Sequence, residues 1–198
     1  MMPCPQFNHD EFTRAYHAHE WGEPVNDTDI LFEYVVLHTF QAGLPLHWVL
    51  KRREDFRAAL YNFEPARLAR FSDDDIAEFL LNPRVIRNRR KAETMRQNTQ
   101  AWLRLRAKLG GDTALLQFFY DFVGGRPLVN HWTNPAQVPA TAPAGDALAR
   151  ELKRRGFGLL GPFGSYSLLQ TAGLVNDHLT SCPRHADCAH LAAEWRLA

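Results

Sequence analysis

Two pairs of metal-ligating residues lie near opposite ends of the 198-residue chain: Cys4 with His17, and His178-x-x-x-Cys182. Residues four apart project from one face of a helical turn, so His178 and Cys182 can hold one ion together. Two thiolates with two imidazoles form a set that tetrahedral zinc favours, and four protein ligands leave no open coordination position. Such an ion would clip the chain ends together and stabilise the fold without activating water. By spacing alone, a buried thiol and a surface histidine account for these residues as well. His185, Cys188 and His190 are left over, either for a second site or for an exposed, poorly ordered tail. Three cysteines are an odd set for a disulfide framework and fit metal binding or free thiols in a reducing compartment.

Charge suggests a second chemistry. The formal net charge of +1 conceals a strip from Arg84 to Lys108 with nine basic residues against one acid, Glu93. Acids gather instead in the first 33 residues and at Asp73-Asp74-Asp75. This polarity fits a polyanionic partner, although the solvated helix faces of an arginine-rich protein look the same. A 45% hydrophobic and 12% aromatic composition is that of a globular chain. No apolar run approaches the roughly 20 residues needed to span a bilayer, and no secretory pattern opens the sequence, so a soluble cytoplasmic protein is expected.

The elements that must position these residues read as helices. Asn8, with Glu11 three residues later, reads as the cap of a helix to about His19, and Asn26-Asp27 starts a second carrying Leu31, Tyr34, Val35 and Leu37. Pro45 opens a third, with Trp48, Val49, Phe56 and Leu60. Short helices follow Glu64-Pro65 and Ser72. A long basic helix runs to about Leu109 and stops at Gly110-Gly111, and Thr113–Val123 is a core helix. Residues 124–143 read as an irregular surface connection, followed by helices over Ala147–Arg155 and Tyr166–Leu174. No period-2 alternation supports a sheet. The expected architecture is all-α, with residues 1–182 as one domain or two small lobes sharing a core, and 183–198 as a tail.

Several segments resemble the type I 3-methyladenine DNA glycosylases, the Tag family. They are Tyr16-His17-x-x-Glu20-Trp21-Gly22, Gln41-Ala42-Gly43-Leu44, Val49-Leu50-Lys51-x-Arg53, Lys153-Arg154-Arg155-Gly156-Phe157, and Gln170-x-x-Gly173-Leu174-Val175-Asn176-Asp177-His178 with Cys182. The similarity is colinear from about Cys4 to Cys182. It implies a helix-hairpin-helix glycosylase fold and a structural zinc on Cys4, His17, His178 and Cys182. It also implies hydrolysis of the N-glycosidic bond of an alkylated purine flipped out of double-stranded DNA, by a monomer.

The same resemblance identifies departures. Where the family carries a base-binding glutamate this chain has His38, and where it stacks a tryptophan this chain has Leu46; two smaller aromatic places hold Gln6 and Thr13. Tyr16, Leu46 and Tyr166 are expected to line the base pocket, His38 to contact the base edge, and His47 to lie within partial reach. The hairpin's glycines are replaced by Arg84 and Arg90, leaving Arg84, Arg87, Arg89, Arg90 and Lys91 as the expected phosphate-binding set. A zinc-stapled DNA-binding protein without catalysis, or a binder of free nucleosides or bases, is the alternative reading of these changes.

Overall fold

The computed structural model describes residues 4–197. Its axis is α2 (Thr28–Gln41), whose residues from Leu31 to Gln41 are all buried. The Asp27 carboxylate starts this helix by accepting the Asp29 and Ile30 N–H groups at 2.7 and 3.2 Å. At its other end Lys91 reaches in and donates to the Phe40 carbonyl at 2.7 Å. A cation at a helix C-terminus complements the dipole there as well as satisfying an orphan acceptor.

The remaining helices surround this axis. They are α1 (Glu11–His19), α3 (Leu46–Leu50), α4 (Arg53–Ala59), α5 (Pro65–Leu68), α6 (Asp73–Leu81), α7 (Arg89–Leu109), α8 (Asp112–Tyr120), α9 (Pro143–Arg154), α10 (Pro162–Thr171) and α11 (Pro183–Glu194). The cap of α1 is Asp10, not Asn8. Asp10 accepts the Thr13 N–H at 2.8 Å while the Thr13 hydroxyl accepts the Asp10 N–H at 3.2 Å, a reciprocal box that Asn8, ending a preceding 3-10 turn, does not form. The helix expected from Pro45 is broken into α3 and α4, because Arg52 leaves helical geometry. The break turns Arg53 inward onto Glu20 and Glu33 and leaves Trp48 52% exposed.

Both α9 and α10 begin earlier than their apolar patterns suggest, each with a proline in its first turn. They cross closely at Gly145, where any Cβ would lie 2.6 Å from that of Tyr166. The connection over 124–143 is partly ordered by pairing: Leu128–Val129 runs parallel to Val175–Asn176. The expected tail is instead helical. In α11 Cys188 and Ala192 are buried, His185 bonds the Asn130 carbonyl at 2.8 Å, and the Trp195 ring just beyond it packs, tilted by 37°, with its centroid 4.0 Å from that of Tyr120. Only His190 among its metal-type residues is exposed, beside Glu194. Apolar residues at helical spacing were available there to pack; the charged residues between them obscure the pattern.

A backbone clasp joins the turn after α1 to the end of α10. Gly22 N–H donates to Gln170 O at 3.2 Å and Val25 N–H to Ala172 O at 3.0 Å. Gly173 sits at φ +64°, and a Cβ there would fall 2.1 Å from the Glu23 carbonyl, so this position needs glycine for both conformation and space. Among the described residues no helix is long and apolar enough to cross a membrane.

Candidate active site and metal centre

Cys4, His17, His178 and Cys182 converge, all buried, with one ligand atom of each within 4.8 Å of the others. His17 Nε2 and His178 Nδ1 are 3.1 Å apart, Cys182 Sγ is 3.6 Å from the first and 3.8 Å from the second, and Cys4 Sγ is 3.8 Å from His178 Nδ1. Tetrahedral bonds of about 2.0–2.3 Å give ligand-to-ligand edges of roughly 3.3–3.8 Å, so the donor set fits an ion with little adjustment. His178 also donates its Nε2–H to the Trp21 carbonyl at 2.8 Å, which leaves Nδ1 as the free lone pair. Burial pushes the Cys4 thiol up to about 12 and the His17 and His178 rings down to about 4.

The next residue, Asp177, is fully buried and faces no cation. Its carboxylate accepts from Tyr166 Oη at 2.6 Å, Trp132 Nε1 at 2.7 Å, Asn130 Nδ2 at 2.7 Å and Gln170 Nε2 at 2.8 Å. These four neutral donors satisfy the charge and tie the 130–132 segment to α10 beside the metal-type cluster. Tyr166 is thereby turned into the core and does not line the cavity, contrary to the expectation from the sequence.

The cavity lies between α1, the start of α3 and α10, and has a volume of about 490 Å³. Phe7, Tyr16 and Trp21 form an aromatic wall, with Gln6 and Thr13 beside them. Gln41, Leu44, Leu46 and His47 come from the end of α2 and the start of α3; Phe163, Ser167 and Gln170 come from one face of α10, and 135–140 overhangs them. The spacing 163, 167, 170 is helical, and Trp21, Gln41 and Gln170 all sit in the motifs quoted above, but a sequence does not say which face of each helix looks into a void. Tyr16, Leu46 and His47 are at the cavity as expected; Trp48 is not.

His38 stands behind the lining. It is 1% exposed, with Nδ1 2.6 Å from Gln41 Oε1 and Nε2 3.0 Å from Thr171 Oγ1. Both ring nitrogens are occupied by protein, so the expected direct contact of His38 with a base is not supported: the ring has no free nitrogen to offer one. The basic set also needs revision. Lys91 is buried, 8% exposed, with its ammonium on Phe40 O. Arg84, Arg87, Arg89 and Arg90 are exposed around the turn between α6 and α7, with Arg84 3.9 Å from Asp55 and Arg89 3.7 Å from Glu93. Farther along the strip Arg96 and Arg106 are paired with Asp73 and Asp112.

Burial holds the His38 ring at about 4, below the usual 6.5, while its bond to Gln41 acts in the opposite sense. The unfolded chain therefore takes up this proton first, so His38 costs stability progressively as pH falls from 6.5 to about 4, and no more below that. The full effect is on the order of 3 kcal/mol. His38→Gln should flatten the dependence of the unfolding temperature on pH across this window; an unchanged slope would show that the ring is not held neutral.

Residues 6–185 match the family described as methyladenine glycosylase. The DNA-3-methyladenine glycosylase 1 of Escherichia coli (strain K12) is 36% identical over 182 residues, 92% of this chain and 96% of that protein. The DNA-3-methyladenine glycosylase of Haemophilus influenzae is 37% identical over 180 residues, 91% of this chain and 96% of its own. The fold is similar to that of 3-methyladenine DNA glycosylase I from Staphylococcus aureus, with a TM-score of 0.86 at 30% identity over 91% of this chain and 95% of the other. A crystal structure of a 3-methyladenine DNA glycosylase I agrees equally well, at 0.86 and 38% identity over 92% and 98%. With the family match spanning the cavity and all but one residue of the Cys/His cluster, this chain belongs to the methyladenine glycosylase family.

Proposed function

We propose that this protein is a DNA repair glycosylase that hydrolyses the N-glycosidic bond of an alkylated purine turned out of the duplex. The observation that carries this reading is the aromatic-walled cavity of about 490 Å³ in a chain of this family. That volume falls in the range of small-molecule sites, roughly 300–1,000 Å³. Tyr16 and Trp21 offer rings to the faces of a flipped base, and Gln41, Ser167 and Gln170 offer polar atoms to its edges.

No Asp or Glu is among the residues lining the cavity, so the lining supplies no carboxylate as general base. The chain's contribution is to hold and orient the base and to keep bulk water from its faces. Water then forms the new bond to the sugar C1′ as the C1′–N bond breaks and the bonding pair leaves with the base; the water's proton passes to solvent where a cationic base departs neutral, or to the base where it departs as an anion. Purified protein incubated with methylated duplex DNA, or with duplexes carrying a single alkylated purine, should release free base measurable by chromatography. Absence of any released base across such a panel would refute the glycosylase reading.

We assign the turn between α6 and α7 as the DNA-docking hairpin of a helix-hairpin-helix arrangement. It is flanked by the exposed Arg84, Arg87, Arg89 and Arg90, and Asn88 caps the helix start by accepting the Lys91 N–H at 3.1 Å. Helix N-termini and arginines both favour phosphate. Arg87 and Arg90 make no ion pair among the described residues, so they are the pair to test. Replacing both with alanine should weaken duplex binding and reduce the slope of log K against log salt by about 1.8, at about 0.9 per lost phosphate contact.

We further assign a structural zinc to Cys4, His17, His178 and Cys182, supported by the donor set and its spacing. When bound, the ion supplies cross-linking of the two chain ends and, being fully ligated by protein, no reactive water. Elemental analysis should find one zinc per chain. Cys182→Ser should lose the metal and lower the unfolding temperature by about 10 °C or more, since a domain this size shifts by roughly 2–4 °C per kcal/mol; a metal-free wild type with unchanged stability would contradict the assignment.

A further inference from the structure

The polarity of the hydrogen bonds behind the cavity determines what the cavity offers. Gln41 Oε1 can only accept, so the His38 Nδ1 it contacts at 2.6 Å must carry the hydrogen. The neutral ring then has its lone pair on Nε2, which accepts from the Thr171 hydroxyl at 3.0 Å. Thr171 oxygen in turn accepts from Tyr16 Oη at 3.2 Å. The chain of bonds runs in one direction, from Tyr16 through Thr171 and His38 to Gln41.

Its end result is that the Gln41 carbonyl is turned to His38, with one lone pair engaged, and the amide N–H groups are left over. Among the described residues that nitrogen has no protein partner, and it is not among the sealed, unsatisfied atoms. It is therefore a free donor on a residue shared by this cavity and a smaller one of about 250 Å³ lined by His38, Ala42, Gly43 and Phe163. Gln170, on the opposite wall, is in the complementary state. Its amide nitrogen is spent on Asp177 at 2.8 Å, which leaves its oxygen without a protein partner. Four nearby carboxylates are turned elsewhere: Asp10 accepts from Lys51 and the Thr13 N–H, Glu20 from Arg53 and Tyr34 Oη, Glu33 from Arg53 and Arg57, and Asp177 from its four donors. A cationic base would leave water for a cavity that offers it ring faces but no anion, with an N–H donor at its edge, so no counter-charge repays its desolvation.

We propose that the cavity selects an uncharged altered base whose edge presents a hydrogen-bond acceptor, with Gln41 as the specificity-determining residue. This rests on the cavity being the base site of the proposed glycosylase. Cationic methylated purines are then disfavoured relative to neutral adducts, and recognition uses one amide donor and one amide acceptor instead of a carboxylate.

The direct test is quenching of tryptophan and tyrosine emission by free bases in neutral buffer. The probes are 9-methyladenine and 9-methylhypoxanthine, both uncharged, and 3,9-dimethyladeninium, a fixed cation. The wild type should bind the uncharged bases tighter by roughly tenfold or more. Gln41→Glu, checked for native circular dichroism, should narrow or reverse that ratio. Equal or tighter binding of the cation by the wild type, or no binding of any of the three, overturns the inference. Base release from duplexes carrying 1,N6-ethenoadenine, compared with methylated DNA, separates the two claims. Selective binding without release from either DNA would refute the glycosylase reading and leave the selectivity standing. Preferential release of cationic bases would do the opposite.

Discussion

His17 Nε2 and His178 Nδ1 lie 3.1 Å apart in the interior, flanked by two cysteine sulfurs. Bringing α1 and the segment around 175–182 to one point costs loop-closure entropy over most of the chain, and the return on that cost is a fixed frame. Trp21 is held because His178 bonds its carbonyl; Gln170 is held because Asp177, next to His178, takes its amide nitrogen. Both residues are cavity walls. The metal-type cluster thus governs the cavity without being part of its lining, and a loss of order there would be felt first in the orientation of Trp21 and Gln170.

Charge in this molecule is spent largely on architecture. Lys91 and Asp177 are each buried against neutral groups, the first on a helix-terminal carbonyl and the second in a ring of four donors. Arg53 gathers Glu20 and Glu33 from two different elements and so fixes α4 against α2. The turn before α7 keeps four arginines exposed, Arg87 and Arg90 among them without an ion pair among the described residues, while the cavity is lined by no Asp, Glu, Lys or Arg. The separation matches the two tasks proposed, long-range attraction of a polyanion at one surface and short-range discrimination of a base at another.

Helices with self-contained signals were legible in the sequence. Ser72 with Asp75, Asp27 before Thr28 and Gly110 after Leu109 each carry the local chemistry that starts or stops a helix, and the structure places boundaries there. The split between α3 and α4 was not legible, because it depends on Arg53 finding carboxylates twenty and thirty-three residues away. The same limit applies at the site. Four ligand-type residues can be named from their types, and Tyr16 and Leu46 from a resemblance. Whether His38 or Tyr166 faces a void or the core depends on helix rotation, and here Thr171, Gln41 and Asp177 decide it. The strip of nine bases gave too broad a surface, since ion pairing and the burial of Lys91 are tertiary facts.

The clasp between Gly22–Val25 and Gln170–Gly173 joins the two sides of the cavity floor through main-chain atoms alone. Side-chain identity enters its geometry at Gly22, at φ +85° with a Cβ position 3.0 Å from the His178 ring, and at Gly173, where no side chain is admitted. Residues 6, 13, 38 and 46 lie outside the clasp, so an exchange at any of them leaves its main-chain bonds unbroken and alters the cavity on an unchanged skeleton.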